Sequence, residues 1–350
     1  MTVGTARAAG AVGTAGTGGE GSGLVPDAED LQRSVAARFR AWVDTEAHAL
    51  PLPGAGRTQE RFAALYALGR TDLSLARLAE GHADATAILH ELGSAPPGPG
   101  ECWGVWAAQP PNTGLLAREE GGQWLLDGHK AYCSGAHSCT HALVTADTPH
   151  GRRLFAVRTD HPGYAPLEGT WQAIGMAGSD TPDVRFTAVP ARPVGAVGAY
   201  LDRPGFQHGG IGVAACWLGG ARAVADTLQT SAGSAGTPDP LTAAHLGAVD
   251  MALHGAHSVL QQAAQAIDAD PSDTSGTARL RSLRVRAIAE QACRDVLDRV
   301  GRATGAGPLC HDPRHARHVA DLTVYIRQHH ADRNLAELGS LVAQEGGPRR

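Results

Sequence analysis

The chain has 350 residues, of which 43% are hydrophobic and 19% are charged, and its formal net charge is −5. A chain of this length can bury a large core and fits two or three packed subdomains. It contains neither a run of basic residues nor an apolar stretch of about 18 residues, the length that a membrane helix needs. Neither nucleic acid nor a membrane is therefore an expected partner.

The first 26 residues are rich in Gly, Ala and Thr. They lack the basic start and apolar block of a secretory signal, so we expect a disordered tail at residues 1–26 and a cytoplasmic protein. The cysteines agree with that compartment, because they form no CxxC pair, fit no zinc-site spacing and are interpreted as reduced, buried thiols. They are Cys102, Cys133, Cys139, Cys216, Cys293 and Cys310.

From residue 27 onward, apolar residues recur at three- and four-residue spacing, as in Leu31, Val35 and Phe39. Such spacing is typical of helices that bury one face. It predicts three helices before a proline cluster at residues 96–99. We interpret residues 27–99 as an N-terminal helical domain.

Between residues 100 and 204, short apolar runs alternate with turn signals such as Asp127-Gly128. This alternation is typical of antiparallel strands and predicts a middle β-domain with a barrel-like sheet. The predicted strands are Trp103–Ala107, Gln123–Leu126, Ala131–Cys133, Ala142–Ala146, Leu154–Val157 and Val184–Phe186.

Residues 205–345 return to helical periodicity, which predicts helices at 208–230, 241–268, 277–303 and 313–342. A polar linker at 231–239 and a glycine break at 302–309 separate them. Long helices joined by short connections predict a four-helix bundle. Because no βαβ alternation occurs, a Rossmann domain is not expected. The predicted class is α+β, in the order N-terminal helices, β-domain, bundle.

Several motifs occur in a telling order along residues 60–342. WQAIGMAGSDTPDVRF at residues 171–186 resembles the β-domain signature of the acyl-CoA dehydrogenases, and LDGHKAYCSG at residues 126–135 resembles the segment that precedes it in that family. Residues 241–247 and 301–307 resemble two landmarks of the family's bundle. The chain thus resembles the acyl-CoA dehydrogenase superfamily, and the resemblance implies that superfamily's fold.

The resemblance implies an FAD site between the β-domain and the bundle. Ser134 matches the family Ser/Thr beside flavin N5, Tyr132 matches the neighbouring aromatic, and Gln109 lies in a turn that contacts the flavin in the family. Gly305 and Gly307 would let backbone amides approach the pyrophosphate or the adenine of the FAD. The alternatives are an ordinary hairpin for residues 132–135 and a helix end for the two glycines.

The resemblance also implies a catalytic base, but this chain departs from the family there. Family dehydrogenases use a Glu to remove the proton α to the thioester carbonyl, and that position falls on His329. A neutral imidazole is a plausible base near pH 7. The family's Arg-x-x-Phe-Gly motif is absent, with residues 231–239 in its place, and the N-terminal helical domain is shorter than in the family.

A second branch of the same fold contains flavin-dependent monooxygenases, which use reduced flavin and O₂ and place histidines near the flavin. His329 and His82, on the third predicted helix, would take those places. The alternative for either histidine is a solvent-facing or core position with no role in catalysis.

A further histidine set must be weighed as a metal site. His311, His315 and His318 share one helical face. No acidic partner accompanies them, and two arginines interleave with them. A solvated helix face is therefore favoured over zinc, and no metal site is predicted.

Three functions remain open from the sequence. The main prediction is an FAD-dependent oxidoreductase that oxidises an acyl thioester or a related small molecule and works with an electron-transfer partner. The first alternative is a monooxygenase supplied by a flavin reductase, and the second is a degenerate, non-catalytic family member. The apolar surface of the bundle helices predicts a homodimer or homotetramer.

Overall fold

The computed structural model describes residues 27–45, 49–111, 113–234 and 236–345. The predicted tail at residues 1–26 lies outside these ranges. Three helices come first: α1 (Ala28–Val43), α2 (Thr58–Thr71) and α3 (Leu73–Glu91). The buried residues of α1 follow a four-residue spacing, which is the apolar periodicity that predicted it.

The middle of the chain forms a sheet whose described strands close into a small barrel. They are β1 (Trp103–Trp106), β2 (Leu115–Glu120), β3 (Gln123–Lys130), β4 (His141–Thr148), β5 (Gly151–Arg158), β6 (Tyr164–Leu167) and β7 (Asp183–Val194). The hydrogen-bonded order is β1-β4-β2-β3-β7-β5, and a further pairing of β4 with β5 closes the ring. Closure leaves few free strand edges.

The sequence analysis did not predict β2 or β6, and it predicted one strand that does not form. In β2 only Leu115 and Ala117 are buried, and the strand ends in charged residues, so its apolar signal is weak. β6 has only four residues, of which Tyr164 alone is buried. The predicted strand at Ala131–Cys133 is wrong, because these residues form a turn in which Tyr132 has φ of 59°.

The rest of the described chain is helical. Its helices are α4 (Ala199–Asp202), α5 (Pro204–Ser234), α6 (Pro240–Ala269), α7 (Ala278–Thr304), α8 (Gly307–His311), α9 (Pro313–Tyr325) and α10 (Asp332–Glu345). The central part of α5, residues 211–225, is buried apart from Arg222, and α5 packs closely on α2. A Cβ at Gly69 or Gly219 would collide with a backbone carbonyl of the facing helix. The predicted α+β class with a C-terminal bundle is confirmed.

Two helix boundaries in the bundle differ from the prediction. α5 continues to Ser234, into the predicted linker. The single helix predicted at 313–342 is wrong, because a 3₁₀ turn at Ile326–Gln328 and an extended His329 interrupt it. Apolar periodicity ran across this point, but the buried face of the helix ends at Ile326, and α10 has no buried residue.

One buried carboxylate, Asp72, joins three helices. It caps the N-terminus of α3 by accepting from the backbone N–H groups of Ser74 and Leu75, at 3.0 and 3.1 Å. Its Oδ2 also accepts from Arg38 of α1 at 2.7 Å and from Arg317 of α9 at 3.0 Å. Charge-assisted hydrogen bonds of this kind are stronger than neutral ones, so Asp72 fixes α9 relative to the N-terminal helices.

A second buried carboxylate, Asp321, joins α9 to the β-domain. Its Oδ1 accepts from the backbone N–H of Met176 at 2.5 Å. Burial raises the pKa of Asp321 to about 6, and the hydrogen bond from Met176 opposes the rise. A Cβ at Gly175, the preceding residue, would collide with the carbonyl of Ala320 on α9. Only glycine permits this close approach of the loop to the helix.

Replacing Asp72 by Ala should destabilise the protein by about 2–4 kcal/mol, since it removes a helix cap and the shared partner of two arginines. Asp72→Asn should lose less, because Asn also caps helices. Urea denaturation measures both. The control is Asp160→Ala, whose ion pair with Arg158 is exposed and should contribute little to the free energy of unfolding. Equal losses for Asp72→Ala and Asp160→Ala would contradict the role given to Asp72.

Candidate active site

Two loops of the β-domain lie side by side where the domain meets α9. The backbone N–H of Cys133 donates to Pro182 at 2.9 Å, and that of Gly135 donates to Asp180 at 2.7 Å. Between these contacts, the buried Ser134 Oγ accepts from Thr181 Oγ1 at 3.1 Å. The two sequence motifs that carried the family resemblance therefore form one structural unit, with Ser134 at its centre.

Apolar side chains stand exposed on these loops. Tyr132 is 52% exposed and Ile174 is 88% exposed. The turn at Tyr132 is held by its N–H, which donates to Asp183 Oδ1 at 3.2 Å. On the same loop as Ile174, the buried indole N–H of Trp171 has no partner within the described residues. Exposed aromatic and aliphatic side chains, together with an unpaired hydrogen-bond donor, suit the binding of a flat, partly polar ligand.

On the bundle side, Arg286 of α7 is largely enclosed by α5 and the turn after α9. Its Nη1 donates to the carbonyl of Gly210 at 2.6 Å, and its Nη2 donates to that of Gln328 at 3.2 Å. Its guanidinium carbon lies 4.7 Å from the ring centroid of Trp217. Burial lowers the pKa of Arg286 to about 10, so the group remains charged at neutral pH.

Around Arg286, several buried polar atoms have no hydrogen-bond partner within the described ranges. They are Trp217 Nε1, Tyr325 Oη and both ring nitrogens of His329. The Trp217 and Tyr325 rings meet edge to face, with centroids 6.3 Å apart. Buried polar atoms are nearly always paired with protein, water or ligand. This group of side chains is therefore the best candidate for binding a small molecule.

His329 lies at the break between α9 and α10 and is only 4% exposed. Burial first, and then the positive charges of Arg286, Arg294 and Arg327 and the neighbouring His330, lower the pKa of His329 to about 4. The ring is therefore neutral at pH 7, with one donor and one acceptor nitrogen. A pKa this low makes His329 a weak base but leaves it able to form hydrogen bonds.

A buried carboxyl on α3 also titrates near neutrality. Glu80 is 3% exposed and accepts from Arg77 at 2.6 Å. Burial raises the pKa of Glu80 to about 7, Arg77 opposes the rise, and Asp84 adds to it. Asp84 in turn pairs with the buried Arg61 at 3.1 Å. These charged groups lie on the helices that pack against α5.

His82 belongs to α3, and its side chain contacts α1 and β1. It is 1% exposed, and its Nδ1 accepts from the backbone N–H of Trp103 at 3.3 Å. Its ring meets those of Phe39 and Trp42 edge to face, with centroids 6.2 Å from each. These contacts give His82 a packing role, and a contact of His82 with a flavin stays a prediction.

The remaining predicted site residues are exposed. Gln109 donates to Asp147 Oδ2 at 3.3 Å, beside a narrow opening that Lys130 also lines. Gly305 ends α7 with φ of 64°, and Gly307 begins α8. Gly305, at the end of α7, lies roughly 28 Å along the α7 axis from Arg286 at 1.5 Å per residue. The helix-end interpretation accounts for their conformation.

The three histidines do not share one helical face, because His311 is exposed at the end of α8 whereas His315 and His318 lie on α9. For His315 and His318 the solvated face favoured by the sequence is wrong. His315 and His318 are buried, because this face of α9 packs on α5. His315 Nδ1 bonds Thr227 Oγ1 at 2.9 Å, and His318 Nδ1 lies 3.0 Å from the carbonyl of Arg314. Within the described ranges, no group of three or more His, Cys, Asp or Glu side chains is arranged to hold a metal ion.

Sequence reasoning did not single out Arg286, Trp217 or Tyr325. α7 carries many arginines, so Arg286 has no distinguishing pattern. Trp217 and Tyr325 belong to apolar helical faces. Their convergence with His329 is a property of the folded chain.

No helix in the described part of the chain is both long and apolar enough to cross a membrane.

Residues 107–189 match the family model described as "Acyl-CoA dehydrogenase, middle domain". An amino sugar nitrososynthase, RubN8 of Streptomyces rubradiris, is 33% identical over 139 residues, which are 36% of this chain and 33% of that protein. A dibenzothiophene monooxygenase of Mycolicibacterium goodii is 28% identical over 222 residues, 53% of each chain. The matches thus span a third to about half of these relatives.

Solved structures match over most of the chain. KijD3 in complex with dTDP has a TM-score of 0.74 at 19% identity, covering 91% of this chain and 94% of that one. The dibenzothiophene monooxygenase TdsC from Paenibacillus sp. A11-2 has a TM-score of 0.71 at 20% identity, with coverages of 92% and 98%. At these identities the likeness establishes the fold.

His329→Gln should make unfolding less sensitive to acid. The pKa of His329 is about 4 in the folded chain and ~6.5 in an unfolded one. The unfolded state therefore binds more protons, and the native protein loses stability as pH falls from 6.5 towards 4. Gln cannot titrate, so the variant should gain about 1–2 kcal/mol relative to the native protein between pH 7.5 and 4.5.

Urea denaturation at the two pH values measures this difference. His150→Gln, in an exposed turn, is the control and should follow the native protein at both. If the difference in free energy of unfolding between His329→Gln and the native protein does not change with pH, His329 does not have a lowered pKa in the folded chain.

Proposed function

This chain has the acyl-CoA dehydrogenase fold and carries that superfamily's middle domain at residues 107–189, and from that premise we propose that it is a flavin-dependent monooxygenase of a small molecule. The observation that carries the proposal is His329, a buried neutral imidazole at the position that the family resemblance aligns with the catalytic Glu of the dehydrogenases. A base with a pKa of about 4 is poorly matched to removing a proton from carbon. The curated relatives, a nitrososynthase and a monooxygenase, point the same way.

The residues present fit a flavin. The exposed Tyr132 and Ile174 offer apolar contact, and Ser134 Oγ and the unpaired indole N–H of Trp171 offer hydrogen bonds near its polar edge. We favour FMN over the FAD expected from the sequence. Structures of KijD3 and TdsC with the same fold contain FMN, and the glycines expected to approach a pyrophosphate lie at the distant end of α7.

Reduced flavin, when bound, supplies the two electrons that allow one oxygen atom of O₂ to enter the substrate while the other leaves as water. The chain's own part is to orient and to exclude water. His329 and Tyr325 would hold the substrate by hydrogen bonds, since their polar atoms are buried and unpaired. Trp217 would bound the pocket on the α5 side.

A source of reduced flavin is needed from outside this chain. The described residues contain no alternating β-α-β unit that could bind a nicotinamide. We therefore propose a separate flavin reductase as partner. A homodimer or homotetramer remains our proposal for assembly, since Leu241 and Met251 of α6 are 75% and 72% exposed.

The test compares two reactions. With reduced FMN and O₂, the protein should convert an amino sugar nucleotide, a sulfinate or an aromatic sulfide to a product that is heavier by one oxygen. With an acyl-CoA panel and an artificial electron acceptor but no O₂, it should show no turnover. Acyl-CoA oxidation without O₂ would instead support the dehydrogenase prediction, and failure to bind any flavin would support the degenerate one.

Ser134→Ala should weaken FMN binding about tenfold, because one hydrogen bond to a charged or polarised group contributes ~1.4 kcal/mol. Quenching of FMN fluorescence measures the affinity. Ser231→Ala, on the exposed side of α5, is the matched control and should bind FMN as the native protein does. Unchanged affinity in Ser134→Ala would remove Ser134 from the site.

His329→Ala should lower kcat by about 10²-fold, within the range for a positioned proton-handling group. FMN affinity should stay within about threefold, since the flavin contacts proposed above lie on the β-domain. His150→Ala serves as control. A variant with normal kcat, or one that loses FMN instead, would refute the placement of His329 next to the substrate.

A further inference from the structure

Three arginines converge beside His329, with one glutamate among them. Arg286, Glu290 and Arg294 follow one another at four-residue spacing on one face of α7. Arg294 Nε lies 3.1 Å from Glu290 Oε1, and Arg327 Nη1 lies 3.5 Å from the same oxygen. Since His329 is neutral at pH 7, this set carries two more positive charges than negative ones.

Arg286 has no carboxylate of its own within the described ranges. Its hydrogen-bond acceptors are two backbone carbonyls. By contrast, the buried Arg61 and Arg203 pair with Asp84 at 3.1 Å and with Glu91 at 2.7 Å. A half-buried cation without a counter-ion is costly unless something else supplies the negative charge.

The carboxyl groups that could neutralise Arg286 are engaged elsewhere. Glu290 faces Arg294 and Arg327, and Glu80, whose charge reaches Arg286, accepts from Arg77 at 2.6 Å. The other polar groups facing Arg286 are Tyr325, Trp217 and His329, whose buried polar atoms have no hydrogen-bond partner among the described residues. Each of the three can donate a hydrogen bond, so the site has a surplus of donors and positive charge.

We propose that Arg286, with His329 and Trp217 beside it, binds an anionic oxygen-bearing group of the substrate, of the phosphate or sulfur-oxoacid class. Such groups accept several hydrogen bonds at once and supply the missing charge. Arg294 and Arg327, with side chains 50% and 53% exposed, form the positive entrance through which the anion approaches. The inference rests on the proposed function, since it names the substrate class of that site.

The same chemistry has a second source, the phosphate of FMN. The experiment separates the two by measuring anion binding without flavin and flavin binding without anion. The probes are thymidine diphosphate, inorganic pyrophosphate and methanesulfonate, with neutral indole for comparison, titrated by calorimetry. FMN and riboflavin are titrated separately, because only FMN carries a phosphate.

The variants are Arg286→Gln and, as matched control on an exposed side of the same helix, Arg299→Gln. Loss of one charge-assisted contact should raise the Kd of at least one anion about 10–100-fold in Arg286→Gln and leave it within about twofold in Arg299→Gln. Indole binding and the ratio of FMN to riboflavin affinity should not change in either variant. Arg294→Gln and Arg327→Gln, half exposed, give a second reading if Arg286→Gln unfolds, with smaller losses and a weaker dependence on salt.

Equal anion affinity in native protein and all three variants at Arg286, Arg294 and Arg327 would overturn the proposal. So would a selective loss of FMN over riboflavin in Arg286→Gln, which would assign the site to the flavin phosphate. Neither readout needs turnover. A protein that binds anions through Arg286 but never oxygenates a substrate would contradict the proposed function alone.

Discussion

The position of α9 depends on the buried carboxylate of Asp72, and the candidate site depends on α9. Asp72 holds Arg317 of α9 at 3.0 Å while it caps α3 and accepts from Arg38 of α1. One turn further along α9, Asp321 accepts from the loop at Met176. These two carboxylates fix the helix between the N-terminal helices and the barrel. Tyr325 is the last residue of this helix, and His329 follows after one 3₁₀ turn.

The site that we propose would combine two surfaces of different character. The barrel contributes the loops around Ser134, with apolar side chains exposed beside buried hydroxyls. The bundle contributes hydrogen-bond donors and a positive field around Arg286. A dehydrogenase of this fold would need a carboxylate base here, and the positive field would instead hold such a group ionised and weakly basic. A neutral imidazole in that field is suited to hydrogen bonding, which agrees with the oxygenating relatives.

The sequence predicted the order of elements because each region has its own period. The 3.6-residue spacing of Val35 and Phe39 and the alternation in β4 are local signals. Prediction failed where the local sequence pattern does not reflect the tertiary structure. Most of β2 is exposed and it ends in charged residues, and the helix expected at 313–342 breaks where its buried face ends. Ser134 and His329 were predicted as site residues from their positions in the motifs. Arg286 was not predicted, because its distinguishing feature is the lack of a carboxylate partner among the described residues, and only the folded structure shows this.

The most direct test of the central claim is the fate of isotopically labelled O₂ in a reaction with reduced FMN and a converted substrate. A monooxygenase transfers one labelled atom to the product and releases the other as labelled water. We expect the product to carry one atom of label per turnover and none from labelled solvent. Product that takes its oxygen from solvent, or a product that has lost two hydrogens and gained no oxygen, would contradict the account.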